Sequence, residues 1–192
     1  MAEDVSRFPV VELDELPADL RERVGEIADK SGFVPNVFRA LGHRPAELRA
    51  FLDYHDAVME RDSGLSKAER ELVVVATSGA NSCTYCVVAH GAVLRIRAKD
   101  PQLADRVATN PWTVELTERQ RAVVDLALAL AVDPATFSGD DLEAARDAGL
   151  TDEEIWDVGA ITALFALSNR IAHLTALRPN DEFYLMGRLP RG

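Results

Sequence analysis

Cysteine is scarce in this 192-residue chain: there are two, Cys83 and Cys86. Basic charge is also in deficit, with 21 Lys and Arg against 32 Asp and Glu for a net charge of −11, which argues against nucleic acid or an anionic membrane as partner. Aromatic residues make up 6% of the chain, and Ala and Leu rather than β-branched residues dominate its 47% hydrophobic content. That content excludes general disorder. Long apolar runs are missing. The longest charge-free apolar stretch, from Val158 to Asn169, is too short to span a bilayer. The first residues, Met1 to Arg7, are acidic and hold no apolar segment, so no secretory signal is expected. These absences predict a cytoplasmic protein, where a cysteine pair is catalytic more often than a structural staple. The length suits one domain or a duplicated one, and we expect a single all-helical domain over residues 1–192.

What the chain does have is a concentrated motif. Ser82 to Gly91 holds both cysteines and one of four histidines, in the order Cys83-x-x-Cys86-x-x-x-His90. On a helix, residues three and four apart share a face with Cβ atoms roughly 5–6 Å apart. Cys83 and Cys86 would then lie within disulfide reach, with His90 one turn beyond Cys86. That arrangement suits a redox site. Three other readings compete. The pair could be two small buried hydrophobes. It could be half of a zinc site, although His43, His55 and His173 are scattered without ligand spacing, so neither metal nor cofactor is expected. It could also open a helix after a strand in a thioredoxin-like fold, with Leu72-Val73-Val74-Val75 as the strand.

Helix signals along the chain settle that last alternative. Residues 1–15 read as an irregular arm, lying on the surface or reaching a neighbouring subunit. Pro17 suits a first helical turn, and Leu20, Val24 and Ile27 recur at helical spacing until Gly32. Short helices are expected from Asn36 to about Gly42 and from Pro101, and a longer one from Pro45, with an apolar stripe from Leu48 to Met59, that Asp62-Ser63-Gly64 ends. Leu65-Ser66-x-x-Glu69, Leu116-Thr117-x-x-Gln120 and Leu150-Thr151-x-x-Glu154 each match a capping box, in which the hydroxyl caps the helix and the acid or amide reaches back to the cap's N–H. They predict helices near 67–80, 118–132 and 152–176, the first of which absorbs Leu72 to Val75. Ser82 or Cys83 starts the next helix, which runs through His90 to about Ala98. Ser138-Gly139-Asp140-Asp141 starts another that Gly149 closes. No alternating strand pattern appears, so the fold class is all-α. Residues 155–167 are apolar nearly all round, which predicts a core or subunit-interface helix and a homo-oligomer.

Glu71, twelve residues before Cys83, completes an arrangement Glu71…Cys83-x-x-Cys86-x-x-x-His90 that resembles the AhpD-like alkylhydroperoxidase family within the carboxymuconolactone decarboxylase superfamily. The lead-in Leu65 to Glu71, the later Ser168-Asn169-Arg170-Ile171-Ala172 and the early Phe33-Val34-Pro35-Asn36 strengthen the likeness. The last of these is similar to the subgroup called peroxidase-related proteins. The resemblance covers about residues 30–178 and implies an all-helical, oligomeric peroxidase fold with the Cys pair at a helix N-terminus. It implies a hydroperoxide substrate and a protein or dithiol reductant. Cys86 would be the peroxidatic cysteine, Cys83 its resolving partner, and His90 and Glu71 a proton relay. Tyr85 stands where characterised members often carry a histidine, and Tyr85 and Asn169 are candidate supporting residues.

The chemistry of the residues agrees. A thiolate attacks a peroxide oxygen, the sulfenate condenses with a second thiol, a base holds the first thiol deprotonated, and an acid protonates the leaving oxygen. Two effects compete over which cysteine attacks. The helix dipole at Cys83 contributes roughly 0.3–1 kcal/mol. A nearby imidazolium can lower a thiol pKa by several units. The second effect is larger, so the expectation is attack by Cys86, its proton passing directly to His90, and resolution by a solvent-exposed Cys83. His173 is expected to pack rather than react. A non-enzymatic redox sensor or interaction protein, switched by the same pair, stays open beside the enzyme.

Overall fold

A computed structural model describes residues 4–188 of the chain. Among them ten α-helices follow one another and no strand occurs. They are α1 (Ala18–Ser31), α2 (Asn36–Leu41), α3 (Pro45–Met59), α4 (Lys67–Ala80), α5 (Thr84–Ala98), α6 (Leu103–Thr109), α7 (Glu118–Val132), α8 (Gly139–Asp147), α9 (Asp152–Thr175) and α10 (Glu182–Leu185). Single 3-10 turns cover Leu13–Glu15 and Pro111–Thr113. The expected all-α class is therefore the observed one. No helix among the described residues is long and apolar enough to cross a membrane.

Everything is arranged about α4. Its residues from Glu69 to Ser78 are all buried, because α5, α6, α7 and α9 pack around it. The run Leu72 to Val75 is apolar on successive residues for that reason, with no face left to solvent. Val73 and Val74 join a core with Val158, Ile161 and Phe165 of α9, while Leu72 and Val75 pack toward α5, α6 and α7. A third cluster gathers Cys83, Cys86 and Ala89 of α5 with Ala172, Leu177 and Phe183.

The residues expected to form an arm are irregular from Asp4 to Glu12 and lie against their own chain; residues 1–3 fall outside the described part. The Arg7 N–H donates to Thr175 O at 2.8 Å and the Arg178 N–H to Val5 O at 3.0 Å, so the segment is pinned across the end of α9. Val5 and Val10 pack on the cluster that holds the cysteines.

The three expected capping boxes form, on Ser66, Thr117 and Thr151, and a fourth forms on Ser138. Tertiary structure then uses them a second time. Arg119, in the first turn of α7, donates to Glu69 Oε1 at 2.7 Å and to Glu154 Oε1 at 2.6 Å, so one guanidinium ties together the capping carboxylates of α4 and α9. Arg119→Ala leaves both carboxylates mostly buried and unpaired. With the guanidinium itself a third exposed (34%), the expected loss is about 1–3 kcal/mol, read by urea unfolding at neutral pH. Arg119 holds the Glu154 carboxyl below its ordinary 4.5. A depressed carboxyl stabilises above its unfolded value and stops doing so as pH falls through the folded one, so the penalty of the substitution should shrink below pH 4.5.

Candidate active site

The turn between α4 and α5 sets the cysteines in place. The Ser82 N–H donates to Gly79 O and the Cys83 N–H to Ser78 O, both at 2.9 Å, which is the Schellman pair of bonds that ends a helix. Ser82 occupies the left-handed position at φ 52°, where glycine is usual. The residue after it, Cys83, is therefore both the last anchor of α4 and the N-cap of α5. Gly79 makes the tight passage possible: a Cβ there would come within 2.8 Å of Ala108 O on α6.

Both thiols are free, and both cysteines are 1% exposed. The expectation of an exposed Cys83 sulfur is thus corrected: the irregular N-terminal segment, α2 and the residues after α9 close over the pair. Cys86 Sγ stands 3.7 Å from Ser168 Oγ on α9. Asn169, also 1% exposed, is held at both ends of its amide. Asn81 Nδ2 donates to its Oδ1 at 3.0 Å, and its own Nδ2 donates to Ser78 Oγ at 3.0 Å. Asn81 is fixed in turn by donating to Thr77 O, and its carbonyl accepts from His173 Nε2 at 2.9 Å. Ser78 and Asn81 were not singled out in the sequence, and Ser168 entered only as part of the segment Ser168 to Ala172. Ser168 adjoins the Asn-Arg segment, but no local signal says that it faces Cys86.

His90 and Glu71, nineteen residues apart, do meet: Nδ1 lies 2.9 Å from Glu71 Oε2. The carboxylate is buried on α4 and fixes the Nδ1–H tautomer of the ring, whose edge packs on Phe165 with centroids 4.6 Å apart. Nε2 is left without a protein partner among the described residues. His90 makes no hydrogen bond to either thiol, so the expected direct transfer of a Cys86 proton to His90 does not match the geometry. One helical turn separates them, about 5–6 Å between Cβ atoms, enough for a bridging water or a substrate oxygen.

In the reduced pair the surroundings favour the charge on Cys83 over the expected Cys86. The Cys86 thiol turned toward Cys83, together with the Cys86 backbone N–H, His173 and the Asn169 amide, outweighs burial and brings Cys83 from 9.0 down to about 6. The negative charge resting on Cys83 and the burial of Cys86 both push the Cys86 thiol up. The two share one proton as a unit, with the charge at the helix N-terminus and the proton one turn inside. His173, expected only to pack, is exposed and contributes its field to Cys83. Tyr85 packs in the same cluster as the two cysteines but makes no hydrogen bond to either thiol. Its hydroxyl accepts the Val37 N–H at 3.1 Å and ties α5 to α2, and burial pushes its phenol up. Among the described residues no group of three or more His, Cys, Asp and Glu converges as a metal site.

The profile of the Carboxymuconolactone decarboxylase family matches residues 45–129, a span that includes Glu71, both cysteines and His90. A peroxidase-related protein of Ralstonia eutropha JMP134, described as an alkylhydroperoxidase AhpD core, is 56% identical over 99% of this chain and 100% of its own, with a TM-score of 0.96. A second peroxidase-related protein, from Silicibacter sp. TM1040, is 34% identical over 97% of each chain, with a TM-score of 0.91. The debrominase Bmp8, 16% identical over 95% of each chain with a TM-score of 0.78, shares the fold, so proteins of this fold include an enzyme of another chemistry. A comparison with curated proteins finds no match. On this identity and coverage the chain belongs to the AhpD-like carboxymuconolactone decarboxylase family.

Proposed function

We propose that this protein is a thiol-dependent peroxidase that reduces hydroperoxides through a Cys83/Cys86 dithiol–disulfide cycle. The observation that carries the reading is the charge separation within the pair: Cys83 lowered to about 6, a protonated Cys86 beside it, and the Glu71-held His90 one turn further along α5. A thiolate is the nucleophile that opens an O–O bond. The Cys83 thiolate attacks one peroxide oxygen, the O–O bond breaks, and its electrons leave with the second oxygen. Imidazolium His90, stabilised by Glu71, supplies the proton that makes that oxygen an alcohol or water. The Cys86 sulfur then attacks the Cys83 sulfenic acid, its proton and the hydroxyl departing as water, and a disulfide forms. A protein or dithiol donor returns two electrons and two protons to the pair. Asn169 holds its amide toward both sulfurs and steadies the charge as it appears.

The resemblance alone assigns the attack to Cys86, and the electrostatics of the reduced pair favour Cys83. Burial of both sulfurs fits a small substrate, and reduction by a protein requires the covering segments to part. The fold does not choose the substrate, since a debrominase has it too. The test is turnover: peroxide consumption followed with a lipoyl-type dithiol, dithiothreitol or thioredoxin as donor. Many equivalents consumed per chain are expected with at least one donor. A single equivalent followed by arrest with every donor would instead make the pair a redox switch.

A further inference from the structure

Ser168 carries a hydroxyl that its own helix does not use. A serine or threonine inside a helix commonly donates to the carbonyl four residues back. Thr175, also in α9, does so to Ile171 O at 2.8 Å, and Ser31 in α1 does so to Ile27 O at 2.9 Å. Ser168 is buried, and its one hydrogen bond among the described residues joins Oγ to Cys86 Sγ at 3.7 Å. The hydroxyl is a rotor whose hydrogen turns to whichever acceptor holds the most charge. The next residue differs: the Asn169 amide is fixed at both ends, by Asn81 and by Ser78. Of the two side chains that α9 brings to the pair, Ser168 is the one free to follow charge as it moves between the sulfurs.

We propose that Ser168 readies Cys86 for the resolving step, its O–H donating to the Cys86 sulfur as negative charge gathers there. The inference rests on the thiol-peroxidase reading with Cys83 as the attacking thiol. In the reduced pair Cys83 and then burial push the Cys86 thiol up, against Ser168 and Asn169, which pull it down. Oxidation of Cys83 to a sulfenic acid removes the charge from Cys83 and leaves burial to be offset. The Cys86 electron pair then forms the S–S bond, the S–O bond of the sulfenic acid breaks, and hydroxide departs with the Cys86 proton as water. Ser168 keeps its own proton throughout. A hydrogen bond to a charged acceptor in a buried site is stronger than one to a neutral acceptor, so the Ser168 bond tightens as thiol becomes thiolate. An interaction that grows along the reaction in this way speeds it. Titratable groups bear on the pair from three elements: Tyr85 and His90 on α5, Glu71 behind His90 on α4, and His173 on α9. None of these four bonds to the Cys86 sulfur among the described residues, which leaves the donor's part to Ser168.

The experiment gives the full chain one equivalent of hydrogen peroxide in the presence of a dimedone-type trap. Mass spectrometry then counts chains caught as the Cys83 adduct against chains that reach the disulfide. Ser168→Ala should slow disulfide closure by about tenfold or more, the loss expected for one hydrogen bond to a charged group. Most of its chains should therefore be caught at a trap concentration where wild type closes. The rise of the closure rate with pH follows ionisation of Cys86. In Ser168→Ala that rise should move up by about one pH unit, a unit being a factor of ten. Ser168→Thr keeps the hydroxyl and should bring back both the rate and the pH profile. Closure at the wild-type rate in Ser168→Ala overturns the proposal. Slower closure with the pH profile unmoved overturns it too, since Ser168 would then act by packing alone. A wild type that forms no sulfenic acid, or forms it on Cys86, overturns the peroxidase reading with Cys83 attacking, and this role of Ser168 with it.

Discussion

Cys83→Ser is expected to lose its reaction with one equivalent of hydroperoxide by at least about a hundredfold, whereas Cys86→Ser reacts once and stops at a sulfenic acid on Cys83. The Cys86→Ser variant keeps a hydroxyl that can still donate to the Cys83 sulfur, so the attacking thiolate survives while the resolving thiol is gone. Cys86→Ala removes that donor and should raise the pH at which Cys83 ionises, because the Cys86 thiol is the largest single cause of its low value. Trapping the sulfenic acid with a dimedone-type reagent and locating it by mass spectrometry reads the outcome directly. The reverse pattern, with Cys83→Ser forming a sulfenate and Cys86→Ser inert, would return the attack to Cys86. Wild-type protein should lose two thiol hydrogens to a disulfide within one chain, there being no third cysteine to compete.

The second large effect concerns the proton. Glu71→Gln and His90→Gln should each slow the peroxide step by about a hundredfold, in the range typical of a lost general acid. Neither residue is among the groups that lower Cys83, so its titration should stay near 6 in both variants. Direct transfer of the Cys86 proton to His90 would instead have these substitutions raise the pH of thiolate formation. Iodoacetamide alkylation separates the two. In wild type its rate should climb about tenfold per pH unit up to about 6 and level off above. In the Glu71 and His90 variants that profile should persist while peroxide reduction collapses. A midpoint displaced upward by a unit or more would mean that the dyad acts on the thiolate itself.

The signs for stability follow from the same pair. Cys83 is depressed from 9.0 to about 6, so its contribution is complete above 9.0 and is lost as pH falls toward 6. Cys86 is raised, so its contribution is present below 9.0 and is lost as pH rises beyond it.

The local geometry of this protein was legible without a structure. Hydroxyls at Ser66, Thr117 and Thr151 with an acid or amide three residues on define helix starts because a cap is satisfied within four residues of chain. The same locality put Cys83, Cys86 and His90 on one face of α5, since a helical period needs no tertiary contact to be read. The meeting of Glu71 with His90 came through the family pattern, because nothing within nineteen residues of sequence says that two helices cross there. Tertiary structure alone decided the rest. It turned Asn81 and Ser78 onto the two ends of the Asn169 amide, brought Ser168 to Cys86 across 82 residues, and closed the N-terminal segment over a Cys83 thiol expected to be open. It also set which groups bear on the charge of each thiol. An ionisation equilibrium in a buried site is set by every dipole that packs against it, and those here arrive from α4, α9 and the turn at Ser82, whose positions no local rule fixes.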